Sequence, residues 1–593
     1  MRAAVTLLCV VAALSCHRAP RALPSSATDV GVAQPLSGEG AYWGDRRPAV
    51  FPDEWPLDAG RAATFGARAM VVSDAPLATQ VGVEMLRRGG NAVDAAVAVG
   101  FALAVVYPEA GNLGGGGYMV VRMADGRTAA LDYREVAPLA ATRDMFLDER
   151  GEMTDKSVVG PLASGVPGAV AGLVAAHARY GTLPLADVMR PAIHLAADGF
   201  PVDSALARSL HNASSLIAQF AGAETFLPGG AAPAPGTVLK QPALARTLDR
   251  IGTNGADGFY RGETARAIAD ELQRLGGIIT VEDLARYQPV WREPVRATYR
   301  GHTILSMPPS SSGGVTIAET LNILEGFDSL PAFGSARRAH LLASAYQRAF
   351  LDRNEKLADP AFVAVPIAEL TSKAYAAALR ATIDTARATP TRSLLPQRAE
   401  GMETTHYSVV DAAGNAVATT TTINALYGSG VYIVGAGFFL NDEMDDFATR
   451  PGHPNMFGLV QGEANAVQPG KRMLSAMSPT IVLSPGDSLL LVLGARGGPR
   501  IITGTSQVII NVIDHRMTLA DAMSAPRLHH QALPDTLRHE MHGLTTAVID
   551  SLSRMNWGVG PTGGVGLVNA IMRVPGGYHG VADPRSGGRA LGY

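Results

Sequence analysis

Several hydroxyl side chains that could attack an amide lie close together in the segment Thr404 to Asp411, which reads TTHYSVVD. A threonine hydroxyl is a weak nucleophile near neutral pH, so it needs a base within hydrogen-bond distance. A free α-amine can serve as this base, because its reference pKa of about 7.7 to 8.0 leaves a usable neutral fraction. Thr, Tyr and Val also favour strands. Taken alone, the segment therefore indicates a strand rather than a catalytic site.

Two adjacent glycines offer a second chemical possibility. Gly497 and Gly498 could bring two backbone N–H groups close to a developing oxyanion, because neither carries a side chain that would obstruct the approach. In isolation, this pair indicates an ordinary turn. The glycine run at 111–117 lacks the Lys-Ser/Thr of a phosphate-binding loop, so we interpret it as a close-packed turn.

Other reaction classes lack the residues that they need. Both cysteines, Cys9 and Cys16, lie near the N-terminus, which excludes thiol catalysis and thiolate metal sites from the rest of the chain. The sequence has no His-Glu-x-x-His, Gly-x-Ser-x-Gly or dinucleotide-binding motif. His529 and His530 are adjacent, and adjacent side chains point apart on a strand or helix, so we expect no metal site there.

Composition narrows the class of partner. The chain is 47% hydrophobic and 17% charged, which is typical of a globular protein. Its net charge of -3 and pI near 6.5 provide no basic field for nucleic acid or anionic lipid. We therefore expect neither nucleic acid nor anionic lipid as a partner.

The N-terminus predicts export. Arg2 precedes an apolar run, and residues 1–16 are typical of a signal peptide, so we expect secretion across the inner membrane into the periplasm. The sequence up to Cys16 also resembles a bacterial lipoprotein site, so ordinary cleavage and lipid anchoring through Cys16 are both open. Residues 17–56 are rich in Pro, Gly, Ala and Ser and are interpreted as a tether or extended arm.

Helical patterns fill the first two thirds of the remaining chain. Pro76 begins a predicted helix that reaches Leu86, and a second helical segment runs from Asn91 to Tyr107 and is apolar on all sides over residues 95–107. The second is too short for a membrane span and suits a buried helix. Residues 118–123 resemble a strand, and helical periodicity dominates 167–388, which we interpret as scaffold.

From Thr404 onward the pattern changes to short β-rich runs. These runs cover residues 405–410, 416–423, 480–483 and 489–493. Gly414-Asn415 lies between the first two and predicts a hairpin. Helices followed by many antiparallel strands indicate an α+β layered architecture.

Several separate motifs, in one order along the chain, resemble those of γ-glutamyltranspeptidase. Besides the segment at Thr404, they are Asp132–Glu135, Gly165–Gly172, Ser306–Pro309, Leu321–Glu325, Gly414–Ala418, Asn441–Phe447 and Asp583–Ser586. The similarity spans roughly residues 67–593. Chance agreement of so many motifs is very improbable.

This resemblance implies a precursor that is cut between Glu403 and Thr404. Residues 57–403 would form a large subunit and residues 404–593 a small one, and the two would remain associated. The implied fold is the four-layer αββα sandwich of N-terminal nucleophile hydrolases, with no cofactor. Cleavage would free the α-amine of Thr404 to act as the base for its own hydroxyl.

The resemblance also assigns the reacting groups. Thr404 is the nucleophile, Thr422 hydrogen-bonds it, and Gly497 and Gly498 form the oxyanion hole. A surface strand of β-branched residues is a better interpretation of residues 419–421 than of Thr422 and Asn424.

Substrate-binding roles follow from the same resemblance. The donor's α-carboxylate binds Arg134 and Ser475, and its α-ammonium binds Asn424, Glu443 and Asp446. The alternative for Arg134 is a local ion pair with Asp132 or Glu135. The other carboxylates of residues 442–446 are expected to be solvated.

Four positions depart from the family pattern. Ala476 replaces the second serine of the usual pair, so one hydroxyl donor to the α-carboxylate is missing, a loss of about 1.5 to 3 kcal/mol. Arg496 and Pro499 flank the glycine pair, where smaller or more polar residues are common. Phe457, in a lid-like segment at 451–465, stands where an aromatic hydroxyl would close over Asn424.

The predicted activity is transfer or hydrolysis of γ-glutamyl groups from glutathione-like donors to water, amino acids or peptides. One alternative keeps the chemistry but takes glutaryl amides, as in the related cephalosporin acylases. A second alternative is a surface binding protein with a catalytic relic. Asn424, Glu443 and Asp446 argue against the first alternative, and Thr404, Thr422 and the glycine pair argue against the second.

Overall fold

The computed structural model describes Arg46 and residues 49–391 and 404–593. The predicted signal peptide, Cys16, most of the predicted tether and Glu403 lie outside the described residues. The described part of the arm contacts the C-terminal third of the chain, where the indole Nε1 of Trp55 donates to the carbonyl of Ser524 at 2.9 Å.

Most strands belong to two seven-stranded sheets. Neighbours in the first sheet follow the order β1-β20-β19-β15-β14-β9-β8, and in the second β21-β2-β10-β11-β3-β4-β7. In chain order the strands are β1 Thr64–Gly66, β2 Met70–Ser73, β3 Gly116–Arg122, β4 Thr128–Asp132, β5 Phe200–Pro201, β6 Val238–Leu239, β7 Val290–Arg292, β8 Val295–Tyr299, β9 His302–Ser306, β10 Thr405–Val410, β11 Ala416–Thr422, β12 Tyr432–Ile433, β13 Phe438–Phe439, β14 Thr480–Leu483, β15 Leu489–Arg496, β16 Leu528–His529, β17 Leu537–Glu540, β18 Val559–Thr562, β19 Leu567–Val574, β20 Gly577–Val581 and β21 Arg589–Gly592.

Helices cover the outer faces of both sheets. In chain order they are α1 Pro76–Arg87, α2 Ala92–Val106, α3 Ala169–Tyr180, α4 Leu185–Asp198, α5 Ser204–Asn212, α6 Ser214–Ile217, α7 Ala223–Phe226, α8 Pro242–Asn254, α9 Asp257–Tyr260, α10 Gly262–Leu275, α11 Val281–Arg286, α12 Gly313–Glu325, α13 Ala336–Lys356, α14 Ile367–Leu370, α15 Lys373–Ala381, α16 Arg500–Ile513, α17 Leu519–Ser524 and α18 Thr546–Arg554. No helix among the described residues is long and apolar enough to cross a membrane.

The layers stack as helix, sheet, sheet, helix. Strands β10 and β11 of the second sheet pack against β15 and β19 of the first, and α2 and α3 lie on the opposite side of the second sheet. Helices α12 and α16 cover the outer face of the first sheet. The four-layer αββα sandwich expected from the resemblance is confirmed.

Helix α2 anchors this arrangement because every one of its residues is buried. The side chain of Asn91 accepts hydrogen bonds from the N–H groups of Val93 and Asp94, and the Asp94 carboxylate accepts one from the Asn91 N–H. Such a reciprocal cap satisfies backbone donors that a helix start leaves unpaired. The predicted buried helix is confirmed.

Strands β10 and β11 hold the predicted nucleophile segment at the centre of the second sheet. They form an antiparallel hairpin that pairs Thr405 with Thr421, and the turn uses Gly414 with a positive φ of 88°. The predicted hairpin is confirmed. The expectation that residues 419–421 form a surface strand is wrong, because β11 has neighbours on both edges and the other sheet against its face.

Two regions differ from the sequence prediction. Strands β7, β8 and β9 lie in the stretch interpreted as helical scaffold, and helix α16 lies in the β-rich part. The strands are three to five residues long and are flanked by helices, so their alternation is weak beside the helical pattern. Their pairing with β4 and β14 depends on partners distant in sequence.

A close contact between the two sheets gives a stability prediction. An alanine Cβ at Gly494 would lie 2.4 Å from the imidazole of His406, which is fully buried on β10. We expect Gly494→Ala to destabilise the fold by about 1–3 kcal/mol, because such overpacking forces strands apart. Thermal unfolding checks this prediction. Gly252→Ala is the matched control: its nearest neighbour would be 3.8 Å away within α8, so it should be neutral or stabilising. Equal melting temperatures for the two variants would contradict the prediction.

Candidate active site

Thr404 is buried at the entrance to β10 and lines a small cavity between the two sheets. Most of the other predicted site residues line the same cavity. They are Arg134, Thr422, Asn424, Glu443, Asp446, Ser475 and Gly498. The structure therefore brings together groups from distant parts of the sequence. Gly497 is adjacent to this lining but is not part of it.

Thr422 and Asn424 form one side of the site at the end of β11. The Asn424 N–H donates to the Thr422 hydroxyl oxygen at 2.8 Å, and the Asn424 side-chain amide donates to the carbonyl of Asp442 at 3.0 Å. Asn424 has a positive φ of 74°, an unusual backbone conformation that asparagine tolerates better than most residues. The amide that would meet a substrate ammonium is thus held in place by its backbone and by Asp442.

Arg134 lines the cavity and is completely buried. One of its terminal nitrogens lies 2.5 Å from Glu443 Oε2, and the other pairs with Asp446. Glu135 is farther away, at 3.6 Å, and the Asp132 carboxylate accepts a hydrogen bond from the backbone N–H of Arg134. The predicted carboxylate-binding arginine and the predicted ammonium-binding acids are therefore in direct contact.

Burial and this clustering shift the protonation equilibria. Burial alone would lower the pKa of Arg134, but attraction from Glu443 and Asp446 outweighs it, and the pKa is raised. Burial raises the pKa of Glu443 and of Asp446, against the opposing attraction of Arg134. Burial also raises the pKa of Glu135, to about 7. An incoming ammonium would relieve this crowding of buried carboxylates.

The expectation that the other carboxylates of this segment are solvated is wrong. Asp442 and Asp445 are both buried within or beside the short 3₁₀ helix Glu443–Asp446. Asp442 accepts from the Ala425 N–H at 2.9 Å, and Asp445 accepts from the hydroxyl of Ser157 at 2.9 Å. These side chains fix loops by hydrogen bonds to neutral donors, which sequence position alone does not reveal.

The glycine pair lies between β15 and α16. Gly497 and Gly498 have φ angles of 122° and 53°, in the range that favours glycine. Their carbonyls accept from the N–H groups of Arg500 and Ile501 in the first turn of α16, each at 3.1 Å. Gly498 lines the cavity beside Thr404 at the positive end of this helix, where a developing negative charge is favoured.

The four departures from the family pattern take up distinct places. Ala476 and Pro499 line the cavity, and Pro499 precedes the first turn of α16. The Arg496 guanidinium lies 3.7 Å from Asp74 and over the ring of Tyr107. Phe457 is buried and lines the cavity without a hydroxyl.

A methionine takes the contact that an aromatic hydroxyl at Phe457 would make. Asn424 Nδ2 lies 3.6 Å from the sulfur of Met456, one residue earlier in the lid-like segment. The Met456 N–H donates to Asp445 at 3.0 Å, which fixes this part of the segment. Sequence reasoning missed Met456 because a one-residue offset in a loop carries no periodic signal.

Sequence reasoning also missed Arg353, which lines the cavity from α13. A signal existed: the positions three and four residues earlier, Phe350 and Ala349, are apolar, so helical spacing places Arg353 on the buried face. Leu459, Met477 and Ile501 complete the apolar part of the lining.

Comparisons with known proteins agree with one another. The family model described as gamma-glutamyltranspeptidase matches residues 78–593. The chain is 48% identical over 525 residues to the glutathione hydrolase proenzyme of Escherichia coli strain K12, covering 87% of this chain and 90% of that protein. It is 43% identical over 491 residues to the Acylase ACY 1 proenzyme of Pseudomonas sp. strain SE83, covering 80% and 86%. The crystal structure of cephalosporin acylase from Bacillus halodurans superposes with a TM-score of 0.80 at 28% identity, covering 92% and 99% of the two chains.

Proposed function

Because the chain belongs to the γ-glutamyltranspeptidase family, we propose that its nucleophile is the hydroxyl of Thr404 and that cleavage after Glu403 activates it. The protein is an autoprocessed γ-glutamyl transferase or hydrolase that acts on glutathione and related γ-glutamyl compounds. One observation carries the assignment of the nucleophile: Thr404 shares a cavity with Arg134, Glu443 and Gly498, which together suit a zwitterionic acyl donor. The surface-binding alternative lacks support, since the similar proteins are named as hydrolase and acylase proenzymes.

Activation begins on the intact chain. The Thr404 hydroxyl oxygen attacks the carbonyl carbon of Glu403, and its proton passes to the departing nitrogen. The Glu403–Thr404 amide bond breaks as an ester bond forms, which leaves a free α-amine. Water then hydrolyses the ester, giving a carboxylate on Glu403 and restoring the hydroxyl.

Turnover uses the amine that cleavage creates. The neutral α-amine of Thr404 accepts the hydroxyl proton while the oxygen attacks the γ-carbonyl carbon of the donor. The N–H groups of Gly497 and Gly498 stabilise the resulting oxyanion, and the amine returns the proton to the leaving nitrogen. Water, or the amine of an amino acid or peptide acceptor, then attacks the acyl ester and releases Thr404.

The charged groups of the site select the donor. The α-ammonium binds Glu443, Asp446 and Asn424, and the α-carboxylate binds Arg134 and the Ser475 hydroxyl. In the free site Arg134 pairs with Glu443 and Asp446. When the donor binds, its carboxylate can pair with Arg134 and its ammonium can pair with the two acids. The desolvation of these buried groups is then offset by new pairs.

Glutaryl amides form a second candidate substrate class. Ala476 removes a hydroxyl donor to a carboxylate that γ-glutamyl and glutaryl groups share, so it leaves this class open, and one similar protein is named an acylase. Hydrolysis of γ-glutamyl 4-nitroanilide beside glutaryl 4-nitroanilide tests the choice. We expect a higher kcat/KM for the γ-glutamyl compound, because only it carries the ammonium that Glu443 and Asp446 require. A preference for the glutaryl compound would assign the protein to the acylases.

Ala476 gives a prediction of improved binding. Restoring the second hydroxyl with Ala476→Ser should lower KM for the γ-glutamyl anilide about tenfold or more, because a hydrogen bond to a charged carboxylate contributes about 1.5–3 kcal/mol. Steady-state kinetics measures this effect. Ser478→Ala is the control, since its hydroxyl donates to the carbonyl of residue 476 and does not line the cavity. An unchanged KM in Ala476→Ser would place the carboxylate elsewhere.

The processing and export assignments complete the proposal. Residues 57–403 and 404–593 form the two subunits after cleavage, and residues 1–16 direct export to the periplasm. Mass spectrometry of the protein from a periplasmic fraction would identify both new N-termini and any lipid on Cys16.

A further inference from the structure

Arg353 is a buried cation in the wall of the active-site cavity, near the end of α13. Its side chain lines the cavity with Thr404, and the residue is only 1% exposed. Its Nε donates to the Ser312 hydroxyl at 3.2 Å, and one terminal nitrogen donates to the side chain of Asn354 at 3.0 Å. Both partners are neutral. Within residues 49–391 and 404–593, no carboxylate lies at ion-pair distance from this guanidinium.

A buried guanidinium with only neutral partners carries a positive charge that no neighbouring anion compensates. Removing a cation from water is costly unless an anion compensates it. Burial lowers the pKa of Arg353 to about 10, and Asp446 is the charge that counteracts this effect. The side chain therefore remains cationic at neutral pH. Arg134 differs, because Glu443 and Asp446 already neutralise it.

The hydrogen bonds of Ser312 show which end of the site Arg353 faces. The hydroxyl and N–H of Ser312 both donate to the carbonyl of Ser475, at 2.6 and 2.8 Å. Ser312 thus joins Arg353 to the strand-like segment that carries Ser475 and Ala476. This is the end of the cavity where one hydroxyl donor is missing.

We propose that Arg353 is a specificity-determining residue that binds the α-carboxylate of the acyl donor beside Ser475. This inference rests on the proposed function. Arg353 can accept the carboxylate without breaking an ion pair, whereas Arg134 must first release Glu443 or Asp446. The carboxylate is then shared by two guanidinium groups, and the second group makes up for the hydroxyl absent at Ala476.

Three 4-nitroanilides separate this role from a structural one. Removing the amine from a γ-glutamyl group gives glutaryl, and removing the carboxylate gives 4-aminobutyryl. We expect Arg353→Gln to lower kcat/KM for the γ-glutamyl and glutaryl compounds at least tenfold, mainly through KM, because a hydrogen bond to a charged group is lost. The 4-aminobutyryl compound lacks the group that Arg353 binds, so its kcat/KM should change less than threefold.

Two further variants keep the test decisive. Arg353→Lys retains the charge but not the planar fork, so it should show the same substrate pattern with a smaller loss. Adding Ala476→Ser to Arg353→Gln should recover part of the lost affinity for the γ-glutamyl compound. Arg338→Gln is the matched control, since Arg338 is a buried arginine on the same helix, bonded to the neutral Asn511 and His515 and distant from the cavity lining. It should lower the melting temperature and leave kcat/KM unchanged.

Equal losses on all three anilides would show that Arg353 supports only the fold, and unchanged kinetics on the γ-glutamyl compound would also overturn the proposal. Self-cleavage, followed on denaturing gels, reports folding in every variant. Failure of the unaltered protein to hydrolyse the γ-glutamyl anilide would instead refute the proposed function, so the two failures are distinguishable.

Discussion

Replacing Thr404 with alanine should leave one uncut chain and lower γ-glutamyl turnover by about 10⁴-fold or more, the scale of loss seen when a catalytic nucleophile is removed. Without the hydroxyl, no ester can form and the amide bond between residues 403 and 404 is not cut. The nitrogen of residue 404 therefore remains acylated. The variant would thus lack both the nucleophile and the base. Denaturing gels, N-terminal sequencing and anilide hydrolysis measure the two losses separately.

Two neighbouring substitutions make the result for Thr404 specific. Thr404→Ser keeps a hydroxyl and should still yield a small chain, at a reduced rate. Thr405→Ala removes a hydroxyl that donates to Asp74 at 2.8 Å, outside the cavity lining, and should still cleave and turn over. A small chain beginning at residue 404 in Thr404→Ala would overturn the mechanism.

Replacing Arg134 with glutamine should have the second largest effect. It removes a ligand of the α-carboxylate and leaves Glu443 and Asp446 buried without their cation. We expect kcat/KM for γ-glutamyl anilide to fall about 10²- to 10³-fold, because hydrogen bonds to the charged α-carboxylate are lost. Breaking the buried pair should also lower the free energy of unfolding by about 3–5 kcal/mol. Kinetics and chemical denaturation measure the two effects.

A second substitution separates the two consequences of losing Arg134. Adding Glu443→Gln removes one of the stranded carboxylates, so the double variant should recover part of the unfolding free energy. Turnover should remain low, because the group that binds the donor carboxylate is still missing. Recovery of both properties together would mean that Arg134 only supports the fold. A normal KM in Arg134→Gln would contradict its binding role.

The layered fold and most of the candidate site could be predicted because several motifs, in one order along the chain, resemble those of one family. Taken alone, the segment at Thr404 and the glycine pair indicate only a strand and a turn, and their chemical roles follow from the other motifs that accompany them. For Arg353, helical spacing indicates only a buried position, and its place in the cavity wall depends on tertiary packing such as that of α13 against α12. Met456 was missed because the lid places a sulfur, not the neighbouring ring of Phe457, against Asn424.

The same reasoning explains the error over the carboxylates at 442–446. A run of acidic residues usually faces solvent, but here backbone N–H groups and the Ser157 hydroxyl replace water around Asp442 and Asp445. These donors lie outside the acidic run, at separations of 11, 17 and 288 residues from the carboxylates that they serve. No pattern within the acidic run could have shown them.

The interleaved strand order determines what a cut ahead of Thr404 can do to the molecule. In the first sheet β14, β15, β19 and β20 lie between β1 and β9, and in the second β10 and β11 lie between β2 and β3. The fragments before and after the cut thus each contribute inner strands to both sheets, and several of these strands pair with strands of the other fragment. The two halves cannot drift apart without melting both sheets, so the nicked protein should denature in a single cooperative step, and neither half should fold when synthesised alone.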